Sequence, residues 1–255
     1  PMRKPNASCS ACKKAASGSA ITSSACASGW VHTSALRPAD IGLTGPLIAS
    51  VHQPGTRKDA AETIDATGRF VSPGLIDMHV HVWGEAELAA FLAHGVTTVR
   101  NLSGMPFHLR MASEIEAGTL AGPRLLTSGP ILNSPGPNAQ INHVMVSTAE
   151  DARAAVRAQH AAGYTRVKLY SNLTGEAFHA ALSEAQLLGM AVTGHPVEGA
   201  REEGIPFERD FLVPIAETLA ADFETIEHTE SIAFHGLRSE VDRLGGEALV
   251  AEILA

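Results

Sequence analysis

From Gly74 onward the chain alternates between two hydrophobic rhythms. Short apolar runs cover Leu75–Val82, Val96–Asn101, Arg124–Ser128, Arg166–Tyr170, Met190–His195 and Thr225–His228, each of strand length. Between them lie stretches whose apolar residues return every three or four positions, the period of an amphipathic helix. The clearest runs over 148–162, where Ala152, Ala155 and Val156 make one face, Ser147 and Glu150 have capping-box spacing, and Gly163 supplies the stop. Another, about 175–188, turns Phe178, Leu182, Ala185 and Leu188 inward and stops at Gly189. Strand–helix repeats of this kind predict a parallel sheet with helical crossovers. Six such units are visible. A closed barrel of eight takes about 250 residues, whereas about 180 follow Gly74. The expectation is an α/β fold: a (β/α)8 TIM-type barrel over 73–255, incomplete at about six βα units. An opened barrel exposes two sheet edges and invites association, including between copies of the chain.

Ahead of this region the pattern weakens. Residues 40–72 are short apolar pieces broken at Gly45-Pro46 and Pro54-Gly55, which predicts small antiparallel strands and turns. Residues 1–39 carry five Lys/Arg and no acid, and 1–30 hold seven Ala and seven Ser with no period; they read as a disordered leader. All three cysteines, Cys9, Cys12 and Cys26, lie there. Cys9-x-x-Cys12 has metal or redox spacing, but no second pair follows, so incidental cysteines are expected. Lys13-Lys14 and the small residues up to Cys26 resemble an export signal without its Leu-rich segment, so a cytoplasmic location is favoured over export. No apolar run reaches the length of a membrane span. The net charge of −8 with no basic stripe argues against nucleic acid and leaves a small molecule as the expected substrate.

Candidate chemistry begins at Asp77-x-His79-x-His81. Residues two apart on a strand share a face about 6.5–7 Å apart, so both imidazoles can converge on one metal ion at about 2.0–2.1 Å. Asp77, one step deeper, would partner a ligating ring. Leu75, Ile76, Val80 and Val82 point to a buried strand; the plain alternative is two ordinary surface histidines. Lys168, His195 and His228 stand at the ends of later strands, and the carboxyl ends of barrel strands form one active face. Burial and neighbouring cations both disfavour a lysine ammonium. A neutral lysine amine takes up carbon dioxide to give a carbamate whose two oxygens can bridge two metals. The alternative for Lys168 is a buried stem with a salt-bridged head. Tyr170 shares the inward face of Lys168 and could touch substrate, or be a core tyrosine with a satisfied hydroxyl. His143 lies in a Pro/Gly/Asn-rich loop after the third strand, where active-site loops sit, or is simply solvated there. Arg100 and Asn101 end the second strand and could orient a carboxylate or carbonyl. Trp83 is expected to roof the first strand.

Taken together, Phe70-Val-Ser-Pro-Gly-Leu-Ile-Asp-Met-His-Val-His81, Gly95-Val-Thr-Thr-Val-Arg100, Gly122-Pro-Arg124, Gly163-Tyr-Thr-Arg-Val-Lys-Leu-Tyr170, Thr193-Gly-His195 and Ile226-Glu-His228 resemble the amidohydrolase superfamily, in its imidazolonepropionase-like and prolidase-like branch. The resemblance covers roughly residues 60–235 and implies that residues 40–72 are a partial β-sandwich beside the barrel. It implies two divalent metal ions, zinc favoured: one on His79 and His81, the second on His195 and His228, bridged by carbamylated Lys168. It also implies an aspartate at the end of strand eight as the last ligand and general base. The chain ends at Ala255 before any such residue; Asp222 and Asp242 fall in helical segments, and Glu227 precedes His228 and should face away from it.

The implied activity is hydrolysis of a carbon–nitrogen bond in an amide, small peptide or cyclic amide by metal-activated hydroxide. Two alternatives stand beside it. A mononuclear deaminase is supported by His195-Pro-Val-Glu198, because related deaminases carry an acid/base glutamate three residues after a histidine ligand. A catalytically inactive, truncated metal-binding fragment is the other.

Overall fold

A computed structural model describes residues 19–22, 37–56, 60–199, 211–228 and 232. The elements follow in chain order: β1 (Ser19–Thr22), β2 (Asp40–Thr44), β3 (Leu47–His52), β4 (Glu62–Asp65), β5 (Leu75–Val80), α1 (Glu85–Ala93), β6 (Val96–Asn101), α2 (Pro106–Glu116), β7 (Arg124–Thr127), β8 (Ile131–Asn133), β9 (His143–Met145), α3 (Ala149–Ala161), β10 (Arg166–Leu169), α4 (Gly175–Leu187), β11 (Ala191–Gly194), α5 (Ile215–Ala220) and β12 (Phe223–Ile226). The architecture is mixed α/β, and the chain forms two compact units: Pro1–Val99 with Ala112–Leu126, and Arg100–Met111 with Thr127–Ala255. No helix among the described residues is long and apolar enough to cross a membrane. Cys9, Cys12, Cys26 and Asp242 lie outside the described residues.

In the first unit, β1 to β4 form a sheet in the order β3-β2-β1-β4. Residues 19–22, expected in the disordered leader, instead form β1, antiparallel to β2 and parallel to β4, with Ile21 opposite Ile41 and Ile64. Four residues are too few to show a period; the ladder supplied by two neighbouring strands makes this one. Ile41, Leu43 and Ala66 form the small core here, with Ile64 and Val71 against it. The burial expected of the strand over 75–82 holds at Val80 and Val82 but is corrected at Leu75 and Ile76, which are 63% and 62% exposed. β5 is the end strand in the order β5-β6-β7, so no further strand of that sheet flanks it. Trp83, expected as a roof over that strand, is likewise exposed.

The second unit is built on a sheet of order β12-β11-β10-β8-β9 whose neighbours all run parallel. Its core joins Leu132, Val167, Leu169 and Val192 of the strands to Val156, Phe178, Ala181 and Ala185 of the helices. α3 packs on α4, and Arg157 crosses between them to hold both oxygens of Glu184 at 2.8 and 3.1 Å. Both helices stop where expected, at Gly163 (φ 98°) and Gly189 (φ 66°), a left-handed conformation that glycine adopts without a steric penalty. The capping box sits one residue beyond its expected place. Thr148 is the N-cap, its hydroxyl accepts from the Asp151 N–H, and Asp151 returns the bond to the Thr148 N–H.

Strand register sets the order of side chains at one end of this sheet. Lys168 of β10 pairs in register with Thr193 of β11, and Thr193 with Thr225 of β12. Between Val192 and Thr193 the β11–β12 register shifts, so that Glu224 is an extra residue on β12. Glu224 accepts from Nε and Nη2 of Arg166 on β10, which ties the outer strand back across β11. The end of β11 also leaves no room. A Cβ on Gly194 would meet the backbone of Leu169, with the amide nitrogen at 2.9 Å and the carbonyl oxygen nearer still. Gly194→Ala is therefore expected to cost about 1–3 kcal/mol, read as a lower denaturation midpoint; an unchanged midpoint would contradict this close strand packing.

Candidate functional site

The strand ends of the second unit gather the candidate residues in two levels. The lower level is the row Lys168, Thr193, Thr225 across β10, β11 and β12. Side chains two residues on share the same face, so Tyr170, His195 and Glu227 make the upper level. The ladder continues past the strands to hold them: the His195 N–H donates to Leu169 O at 3.1 Å, and the Glu227 N–H to Gly194 O at 2.8 Å.

Four rings stand in succession there. His143 lies 4.7 Å from Tyr170, Tyr170 lies 4.2 Å from His195, and His195 lies 4.3 Å from His228, between ring centroids. His143, expected in a loop, is the first residue of β9 and is buried. Its Nδ1 sits 3.2 Å from the Asn133 side-chain nitrogen. Burial raises the pKa of the Tyr170 hydroxyl.

Lys168 is 1% exposed. Its Nζ makes no hydrogen bond, and the side chain has no ion pair among the described residues. The salt-bridged alternative for this lysine is therefore not what the fold provides. Burial pulls its pKa down from the ordinary 10.5 to about 7; the Glu227 carboxylate opposes that and the Arg100 guanidinium adds to it. A buried amine that is half deprotonated near neutrality, with no protein group satisfying it, is an open position for chemistry.

Arg100 is also buried, and the carboxylate it meets is an internal one. Its Nη2 donates to Glu227 Oε1 at 2.6 Å and its Nη1 to Thr225 Oγ1 at 2.7 Å. Glu227, expected to face away, is thus drawn inward beside His228. Alternation counted back from His228 turns Glu227 outward, whereas counted on from Thr225 it turns Glu227 inward; the further signal is an inward arginine that needs a carboxylate. Glu198 is half-buried, and Asp222 is exposed just before β12.

In the first unit His79 and His81 bring their rings to 5.4 Å. Asp77, expected to support a ring, instead accepts from the His79 backbone N–H at 3.1 Å. Among the described residues no three or more His, Cys, Asp or Glu side chains gather where a metal ion could sit. The five residues expected at one centre are therefore a pair in the first unit, His79 and His81, and Lys168, His195 and His228 in the second. The donor chemistry nonetheless suits divalent ions: imidazole nitrogens in facing pairs, and an unsatisfied buried amine able to become an oxygen donor.

No protein-family model matches the chain. Over 74 residues, 27% of this chain and 12% of the relative, it is 57% identical to adenine deaminase 2 of Agrobacterium fabrum. Over 47 residues, 18% of this chain and 10% of the relative, it is 49% identical to a D-hydantoinase of Rhizobium radiobacter. Among solved structures, the bottromycin amidohydrolase superposes with a TM-score of 0.67 at 23% identity, covering 98% of this chain and 52% of that one. Another amidohydrolase gives 0.62 at 21% identity, covering 89% and 70%. The chain thus spans about half the length of the bottromycin enzyme, and its match takes in only 12% of the deaminase. The matched segments and the fold point the same way and support the amidohydrolase superfamily for this chain.

Proposed function

We infer that this chain carries the metal-binding part of a (β/α)8-barrel hydrolase that cleaves carbon–nitrogen bonds in amides, small peptides or cyclic amides. The observation that carries the reading is Lys168: a buried amine, its pKa drawn down to about 7, with no hydrogen bond among the described residues, in line with the strand ends that bear His195 and His228. An ordinary core lysine would have found a carboxylate. One ready for carboxylation by carbon dioxide must not.

His79 and His81 would hold one divalent ion, zinc favoured, in the first unit, and His195 and His228 the second, where the carboxylated Lys168 would supply oxygen. When bound, the ions ionise water near neutrality and polarise the scissile carbonyl. The protein's own groups then have defined tasks. Tyr170, between His143 and His195, offers a hydroxyl that keeps its proton across the working range, since burial raises its pKa, and so can donate to a substrate carbonyl. His143 can accept from or donate to the leaving side at the same end of the sheet.

A mononuclear deaminase is the second reading. It is favoured by the relatives named adenine deaminase and by Glu198 three residues after His195. Metal analysis separates the two. With bicarbonate present, the chain is expected to take up two ions, falling when bicarbonate is withheld or in Lys168→Ala. A single ion, with ammonia released from adenine, supports the deaminase. Two ions bound regardless of bicarbonate, and equally by Lys168→Ala, would remove the carbamate assignment.

A further inference from the structure

The geometry points to Arg100 and Glu227 as a positioning clamp that fixes the His195–His228 pair; this rests on the metal-hydrolase reading above and adds to it residues outside the donor set. Glu227 Oε1 receives three donors from three strands: Arg100 Nη2 at 2.6 Å from β6, Thr193 Oγ1 at 2.7 Å from β11, and Thr225 Oγ1 at 2.6 Å from β12. Thr225 in turn accepts from Arg100 Nη1 at 2.7 Å, so its single proton is free to go to Glu227. The Glu227 N–H is tied separately to Gly194 O at 2.8 Å. Residue 227 is therefore held at both its backbone and its carboxylate.

The next residue is held in a rare backbone conformation. His228 has φ 59°, the one positive φ outside glycine among the described residues, and a value that L side chains rarely adopt. Such a backbone persists only where its surroundings over-determine it. It has a visible result. Consecutive strand residues face opposite ways, yet Glu227 reaches inward to Arg100 and His228 still brings its ring to 4.3 Å from His195. The left-handed turn reconciles the two, and the clamp is what anchors its near side. A buried ion pair serving only as core glue would have no reason to sit one residue from the strained backbone.

Nuclear magnetic resonance of the metal-free chain tests this through two ring–ring contacts, His195–His228 and, as internal control, His143–Tyr170. Glu227→Ala is expected to abolish the first and keep the second. Thr225→Val, which removes the hydroxyl that donates to Glu227 and accepts from Arg100, should weaken the first by about half even if Glu227→Ala does not fold. Glu227→Gln, which keeps an oxygen for the three donors, should restore it. Titration with Co(II), followed by visible absorption, should show binding about 10–100-fold weaker in Glu227→Ala. Loss of both ring contacts together in Thr225→Val, or of neither in any variant, overturns the clamp. Loss of the first contact alone in a chain whose wild type takes up no Co(II) leaves the clamp standing and removes the metal-hydrolase reading instead.

Discussion

Lys168→Met should make the metal-free chain more stable at pH 7, by on the order of 4 kcal/mol, because one pKa unit is worth about 1.4 kcal/mol and this lysine falls from 10.5 to about 7 on folding. The sign follows from proton binding. Between about pH 7 and 10.5 the unfolded chain holds a proton on Lys168 that the folded chain releases, so wild-type stability rises with pH across that window. Below about pH 7 both forms are protonated and the burial cost is present in full. Methionine has similar length and no charge, so it removes the cost and the slope together. Denaturant midpoints of wild type and variant, taken from pH 7 to 10, should start well apart and converge. A variant less stable than wild type at pH 7, or a gap that stays constant, would show that the amine is satisfied in a way the fold does not reveal. The same experiment with bicarbonate and zinc should reverse the order, since ligand binding to the folded state stabilises it.

Arg100→Met should do the opposite, costing about 3–5 kcal/mol. Both cations are buried, at 2% and 1% exposure, but only Arg100 has a carboxylate on it. Removing Arg100 takes from buried Glu227 the guanidinium that donates to its carboxylate, and breaking such a pair costs more than the pair contributes. The check is a double-mutant cycle: Arg100→Met with Glu227→Gln should recover a large part of the loss, because the stranded charge goes too. A single-variant loss under about 1 kcal/mol would place the pair with weak surface bridges. Opposite responses from two neighbouring buried cations would separate a lysine kept for chemistry from an arginine kept for geometry.

Much of the second unit can be read from the chain itself. β10, α4 and β11 fall where the hydrophobic rhythm places them, because strand and helix periods differ sharply there and glycines with positive φ close both helices. Three-residue strands such as β8 and β9 are too short to carry a period, so His143 reads as loop from sequence. Ser147 and Thr148 precede Glu150 and Asp151, two overlapping caps of the same chemistry; only the backbone geometry selects Thr148 with Asp151. Leu75 and Ile76 look like core by composition, but burial depends on neighbours that composition does not record. At the site, Lys168, Tyr170 and His195 follow from alternation on β10 and β11. Glu227 does not when the count runs back from His228, because alternation fails between Glu227 and a residue of positive φ.

The extra residue on β12 governs the chemistry of everything past it. Were β12 paired with β11 without that shift, Thr193 would stand opposite Glu224, and every side chain beyond that point would exchange inside for outside. Ile226 would then occupy the polar level, while Thr225 and Glu227 turned to the far surface, abandoning Arg100. One step of register, with Glu224 fastened to Arg166, thus decides whether this end of the sheet is greasy or wet.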